Sequence, residues 1–225
     1  MPPKKSEKKT RVRKTKTVSN RGSQTDHIHP AIQIQPATAG LGVFAARPLR
    51  KHTVIVRETP HHLPNEPYDH EYPFKLARHV LSVEPEKFSQ LVPHQLNSDA
   101  TCNVQSTPQF MESASKFFPG VDHDTVKLYV LKIRRNAFQF GRVSGILFFA
   151  TRMNHSCVPN VRYERRGNQM VFRTKKDIDS GEEIHDTYIY PGDSYQKRQS
   201  QLLERYGFKC GCANCTRNFV PTSTR

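Results

Sequence analysis

Residues 153–157, MNHSC, place His155 two positions before Cys157. Such a pair offers three chemistries. An imidazole can activate a thiol as a nucleophile, a thiolate can hold a metal ion, or the cysteine is a small buried residue. A Cys–His nucleophile needs the two side chains within hydrogen-bond reach, and residues two apart in a turn are not bound to touch. A second cluster, CGCANC, brings Cys210, Cys212 and Cys215 into six residues, with Gly211 permitting a tight turn. A structural zinc site takes four ligands in a tetrahedron, often all cysteine. The cluster supplies three. Cys102, Cys157 and the histidines are the remaining candidates, and Cys157 is the best placed because Pro159 turns the chain sharply out of an apolar run. Zinc held there would clamp the C-terminal segment onto the centre of the fold.

The elements that carry these residues must fit in 225 residues, enough for one substantial domain with a tail. The net charge is +15, with 35 Lys+Arg against 20 Asp+Glu. Residues 1–21 hold nine Lys/Arg and one Glu and almost nothing apolar, so residues 1–25 are expected to be a disordered basic tail. Such blocks contact nucleic acid, act as nuclear import signals, or are simply solvated. No run of about 18 apolar residues exists, which argues against a membrane span. The N-terminus has no apolar secretory stretch, so the five cysteines are expected as reduced thiols.

Ordered structure is expected from Ile32, where IQIQ alternates as a half-buried strand does. A glycine turn, a strand over Val43–Ala45, a turn over 47–52 and a strand over Val54–Arg57 follow. Residues 59–124, punctuated by eight prolines, read as an insertion, partly helical (EYPFKLARHVLSV and PEKFSQLV) and partly irregular. The segment 124–140, DTVKLYVLKIRRNAFQF, has the apolar spacing of one amphipathic helix. SGILFFATRMNHSC is a buried apolar run. Two strands, a glycine turn and a third strand lead to Tyr188, and YQKRQSQLLERYG is a helix running into the cysteine cluster. The pattern predicts an α+β, mainly β domain.

Four segments now stand in a recognisable order: GLGVFAARPL (40–49), RMNHSCVPNV (152–161), GEEIHDTYIY (181–190) and YGFKCGCANC (206–215). As a set, spanning roughly residues 32–216, they resemble SET-domain protein lysine methyltransferases, most closely the SMYD-type branch. The insertion holds one cysteine, Cys102, so the MYND finger of that branch is expected to be absent and the histidines at 61, 62, 70 and 79 to be solvated. The resemblance implies a SET domain over 32–190, made of small curved β-sheets with a pseudoknot-like crossing. It also implies a zinc-binding post-SET segment over 191–216, with a tail over 217–225. S-adenosylmethionine is the implied methyl donor and a protein lysine the acceptor. Gly40, Leu41 and Gly42 match the turn that wraps the donor, Asn154 and His155 the motif that holds its adenosine and amino end, and Asn136 an asparagine at its methionine part. Tyr188 matches the tyrosine at the methyl-transfer site, Tyr206 a second channel tyrosine and Phe208 an aromatic packed on adenine. Cys157, Cys210, Cys212 and Cys215 match the zinc site.

The chemistry agrees with that set. Methyl transfer from a sulfonium to an amine needs orientation, desolvation and deprotonation, not a covalent intermediate. With a free-lysine pKa near 10.4, only about one side chain in 2,500 is neutral at pH 7. An aromatic channel and a nearby sulfonium both lower that pKa. Each residue also has a plainer role available: Tyr188 and Phe208 as core, Tyr206 as a helix anchor, Gly40 and Gly42 as a hairpin turn, His155 as a core histidine, Asn136 as a helix end. The expected function is lysine methylation of a histone tail in the nucleus, with the basic tail on nucleosomal DNA. A non-catalytic chromatin module, or a methyltransferase of a ribosomal or other cytoplasmic protein, are the alternatives.

Overall fold

The computed structural model describes residues 25–38, 40–91, 104–140 and 142–217. The basic stretch 1–24, Cys102 and residues 218–225 lie outside the described residues. The chain runs β1 (His27–Ile28), β2 (Ile32–Ala37), β3 (Gly40–Ala45) and β4 (Val54–Glu58), then α1 (Tyr72–Val83), α2 (Pro85–Gln90), α3 (Pro108–Phe117) and α4 (His123–Asn136). It continues with β5 (Ala137–Phe140), β6 (Val143–Ile146), a 3-10 turn (Ala150–Arg152) and β7 (Asn154–His155). β8 (Val161–Arg166), β9 (Gln169–Thr174), β10 (Glu183–Asp186), α5 (Tyr195–Tyr206) and α6 (Ala213–Arg217) complete it.

Three small sheets form, ordered β1-β4-β9-β8, β2-β3-β10-β7 and β5-β6. The β7–β10 pairing is parallel, matching His185 with Asn154 and Asp186 with His155. It sets NHSC beside DTY, segments 30 residues apart in sequence. Between the two larger sheets lies an apolar core including Val43, Ile55, Leu147, Met153, Phe172 and Ile184. The four helices α1–α4 share a second core, with Leu76, Val80, Phe88, Phe110, Val126 and Val130 buried and Ile146 of β6 joining it. Residues of the insertion therefore form a packed helical unit. α3 starts where Thr107 accepts a hydrogen bond from the Phe110 N–H at 3.1 Å with Pro108 in the first turn, and α4 where Asp122 accepts from the Thr125 N–H at 2.9 Å.

Two expectations are corrected. The helix expected over 124–140 stops at Asn136: Ala137 is extended, and AFQF pairs with VSGI as a β-ribbon. The apolar spacing there fits either period, and the ladder to β6 decides for the strand. Of the four histidines expected to be solvated, His61, His62 and His79 are half-buried and His70 is exposed. The His61 ring lies 5.1 Å from Phe148 and the His62 ring 4.5 Å from Phe140.

Candidate functional site

The site is assembled where β7, β10 and the end of α5 meet, and polar side chains fix each piece. Glu58, at the end of β4, accepts the N–H groups of Phe149 and Ala150 at 2.9 and 3.1 Å, capping the 3-10 turn that leads into β7. Burial pushes its carboxyl up despite those bonds. Asn160 donates to the Glu183 carbonyl at 2.8 Å and accepts the His185 N–H at 2.8 Å, so its amide extends the edge of β10 as a strand would. Asn154 donates to the Leu41 carbonyl at 3.2 Å and to Glu183 Oε1 at 2.7 Å, tying β7 to β3 and β10.

That last contact explains one glycine. A Cβ on Gly42 would stand 2.5 Å from Glu183 Oε1 and 3.0 Å from Asn154 Nδ2. Gly42→Ala should therefore cost about 1–3 kcal/mol by overpacking, read as a lowered midpoint in urea unfolding. Gly40 differs: an added Cβ meets nothing, but its φ of 92° is one that L side chains rarely adopt.

Beyond β10 the aromatic rings gather. The Tyr188 ring centroid lies 4.9 Å from Tyr206 and 5.3 Å from His155, and Phe208 is 6.0 Å from His155 and 6.4 Å from Tyr206. α5 ends at Gly207 in the left-handed region, φ 77°, which turns the chain so that Phe208 and the cysteines fold back under the helix. The Tyr188 hydroxyl donates to the Met153 carbonyl at 2.8 Å, leaving its lone pairs free to accept. Burial raises the pKa of Tyr188 above that of an ordinary phenol, with the charge of Asp186 adding to it, so it stays protonated.

His155 uses both ring nitrogens. Nδ1 accepts the Tyr188 N–H at 3.0 Å, which leaves the proton of the neutral ring on Nε2, 3.4 Å from Cys157 Sγ. Burial, and then the nearby His185 and Arg198, lower its pKa to about 4. The two side chains of MNHSC do touch, which their spacing had not required. A ring already protonated on Nε2 has no lone pair there to take a thiol proton, so His155 is not the base of a Cys–His nucleophile.

Cys157 Sγ stands 3.6 Å from Cys215 Sγ, and the sulfurs of Cys157, Cys210, Cys212 and Cys215 all lie within 4.8 Å of one another with no disulfide among them. Four thiolates tetrahedral about an ion at about 2.3 Å would stand about 3.8 Å apart. Burial pushes Cys157 and Cys210 up, the latter to about 11, while backbone N–H groups draw Cys212 down to about 6 against its own burial. Among the described residues this is the one cluster with the donor set of a metal site. Cys102, the other candidate fourth ligand, is outside the described residues.

The residues singled out in the sequence thus fall into three neighbouring groups. Asn136, Tyr188 and Tyr206 line one cavity of about 240 Å³, together with Phe138, Tyr163, Thr151 and Asp186. Asn136 sits buried at the last position of α4, its amide donating to the Lys132 carbonyl at 2.8 Å. Gly40, Leu41, Gly42 and Asn154 cluster at the β2–β3 hairpin, where Leu41 is 45% exposed. His155 and Phe208 bridge from the aromatic group to the thiols. Three residues carry site geometry without having been assigned a role from the sequence: Glu58, Asn160 and Asp186. For Asp186 a signal was present, because strand alternation places it on the same inward face as Ile184.

Comparison with known proteins agrees with this architecture. Residues 40–189 match the SET domain family. A SET domain-containing protein of Acanthamoeba polyphaga mimivirus is 30% identical over 188 residues, covering 78% of this chain and 73% of its own. The histone-lysine N-methyltransferase set5 of Schizosaccharomyces pombe is 38% identical over 96 residues, 41% of this chain but 30% of the yeast protein. Among solved structures, the SET domain of LSMT bound to methyllysine and AdoHcy superposes with a TM-score of 0.58 at 13% identity, over 81% of this chain and 53% of that one. Rubisco LSMT bound to AdoMet gives 0.55 at 12% identity, over 80% of this chain and 52% of that one. The chain spans about three quarters of its viral relative, under a third of the yeast enzyme and about half of the solved chains. With the family match covering most of the described residues, the chain belongs to the SET-domain family.

Proposed function

We infer that the protein is an S-adenosylmethionine-dependent protein-lysine N-methyltransferase acting on a histone tail in nuclear chromatin. The observation that carries this is the cavity walled by Tyr188, Tyr206, Tyr163 and Phe138, with Asn136 at one side. Its aromatic faces attract a cationic sulfonium or ammonium, and burial of an amine among them would favour the neutral form that must attack. S-adenosylmethionine would supply the methyl group. Gly40, Leu41, Gly42, Asn154 and His155 would border it on the β3–β7 side, with Asn136 and Tyr188 at its reacting end and Phe208 against its adenine. The aromatic set of His155, Tyr188, Tyr206 and Phe208, with centroids 4.9–6.5 Å apart, suits that cation. Zn²⁺ would be held by Cys157, Cys210, Cys212 and Cys215, whose crowded thiols a dication would deprotonate.

The pseudoknot-like crossing of the fold would lie at residues 187–190, which follow β10 beside NHSC and meet Tyr206 of α5 at the Tyr188 carbonyl. Within the family we place the chain with the SMYD-type branch on NHSCVPN and CGCANC. A MYND finger needs many Cys and His, whereas residues 59–124 hold one cysteine, Cys102. The histone substrate is supported by the names of the yeast relatives. The basic residues 1–25 would add phosphate contacts to nucleosomal DNA, a salt-sensitive and sequence-independent attraction.

The test is transfer of radiolabelled methyl groups to intact nucleosomes and core histones, followed by mass spectrometry of the labelled site. Label on a histone lysine is the expected outcome. Removing residues 1–25 should weaken nucleosome binding and leave transfer to a free histone-tail peptide nearly intact. Label only on ribosomal proteins of a whole extract would move the substrate to the cytoplasm. No label on any protein would leave a non-catalytic chromatin module.

A further inference from the structure

Asp186 has no role in the methyl-transfer scheme above, yet it is the most anomalous residue of the cavity. It is 2% exposed and lines the cavity with Tyr188, Tyr206 and Tyr163. Its Oδ2 is buried and has no hydrogen-bond partner among the described residues. A buried carboxylate oxygen without a donor costs free energy that a fold does not accept without compensation. The position is fixed by the backbone: Asp186 pairs with His155 in the parallel ladder, and its carbonyl accepts the Ser156 N–H at 2.8 Å. Its neighbour Ile184, on the same inward face, is a core residue, whereas Asp186 reaches the cavity wall.

We propose that the Asp186 carboxylate, at the cavity wall, is the acceptor for the ammonium of the incoming lysine, holding it in the cavity and taking its proton before methyl transfer. The proposal rests on the methyltransferase reading and adds a proton acceptor to it. Three tyrosines cannot fill that role, since burial keeps each phenol protonated and Asp186 raises each further. Burial raises the carboxyl of Asp186 to about 7, so it passes between ionised and neutral forms near neutral pH. The charged and titratable groups facing it are Tyr163 of β8, Tyr206 and Arg205 of α5, Arg135 of α4, Tyr188 beyond β10, and His155 of β7. In the reaction the carboxylate takes one proton from the ammonium and becomes a carboxylic acid. The freed nitrogen lone pair forms the N–C bond as the donor's C–S bond breaks and sulfur keeps the electron pair. The acid then returns its proton to solvent when the methylated lysine leaves.

The test compares wild type with Asp186→Asn, which keeps the shape and removes the charge, and with Asp186→Ala as a second variant. Binding of n-butylammonium chloride, the lysine side chain alone, is measured by NMR titration beside 1-butanol, its neutral analogue. Wild type should prefer the ammonium at least tenfold, and both variants should lose that preference while binding 1-butanol as before. Methyl transfer to core histones by Asp186→Asn should fall about 100-fold in kcat/KM at pH 7, the scale of a lost general base. The deficit should shrink as pH rises toward 9.5, where the amine loses its proton unaided. An ammonium preference that survives in both variants, or is absent from wild type, overturns the proposal. So does transfer by Asp186→Asn within threefold of wild type at pH 7. If the preference is present and lost as expected while wild type labels no protein, the ammonium site stands and the methyltransferase reading falls.

Discussion

If the four thiols hold the proposed zinc, Cys157→Ser should release it, unfold the segment from Gly207 to Arg217 and abolish methyl transfer. Cys157 is the one thiol of the cluster that comes from the body of the domain; the other three lie within six residues of one another. Its sulfur, 3.6 Å from Cys215, is therefore the pin between β7 and the C-terminal segment. The local core is small: Cys157, Ile189, Leu202 and Cys215, with Tyr188, Tyr195, Tyr206, Phe208, Cys210 and Cys212 around them. Two buried and two half-buried thiols are poor substitutes for apolar packing, whereas structural zinc contributes on the order of 10 kcal/mol of apparent folding free energy. Losing it should free α6 and the Phe208 loop, and with them one wall of the aromatic group. The expected readings are less than one zinc per chain by metal analysis and rapid amide exchange confined to residues 207–217. Full zinc content with activity gone would instead return Cys157 to the reaction itself.

Tyr188→Phe should lower the transfer rate by about 10²–10³, the scale of removing one pre-aimed polar group from an active site. The hydroxyl is aimed by its bond to the Met153 carbonyl, and the backbone N–H of Tyr188 is held by His155 Nδ1. With its hydrogen given to Met153, the oxygen of this cavity-lining tyrosine keeps acceptor capacity that could meet the C–H groups of a methyl made positive by sulfonium. The cost in stability is smaller. Leaving the Met153 carbonyl unpaired costs about 1–3 kcal/mol, so the variant should keep its circular dichroism spectrum and melt a few degrees lower. A rate within threefold of wild type would remove Tyr188 from the transfer step.

Much of this site could be read before any coordinates. The cysteine spacing announced a thiol cluster and the turn at Pro159 suggested its fourth member; the four sulfurs do converge within 4.8 Å. The strands of 161–186, expected around a glycine turn, and the helix expected over YQKRQSQLLERYG are found, because their signals are local. The helix expected through Phe140 fails for a non-local reason. Residues 137–140 find a ladder partner in β6, and hydrogen bonds between segments override an apolar spacing that fits a helix. Asp186 was passed over because a lone aspartate before DTY's tyrosine looks like an ordinary polar residue. The alternation that aligns it with Ile184 hinted at an inward side chain, and burial is what makes it unusual.

The amino-acid sequence by itself determined the family, the thiol set and the aromatic residues available for a cationic substrate, because motif order and residue type survive without knowledge of packing. The tertiary structure decided which of those residues face one another. It joined His155 to Cys157 and Tyr188 through opposite ring nitrogens, closed Gly42 against Glu183 and Asn154, and left one buried oxygen of the cavity-lining Asp186 without a partner among the described residues. Each of these depends on the parallel pairing of β7 with β10 or on contacts made around it. Contacts between segments tens of residues apart are set by how sheets stack and chains cross, which no local spacing encodes.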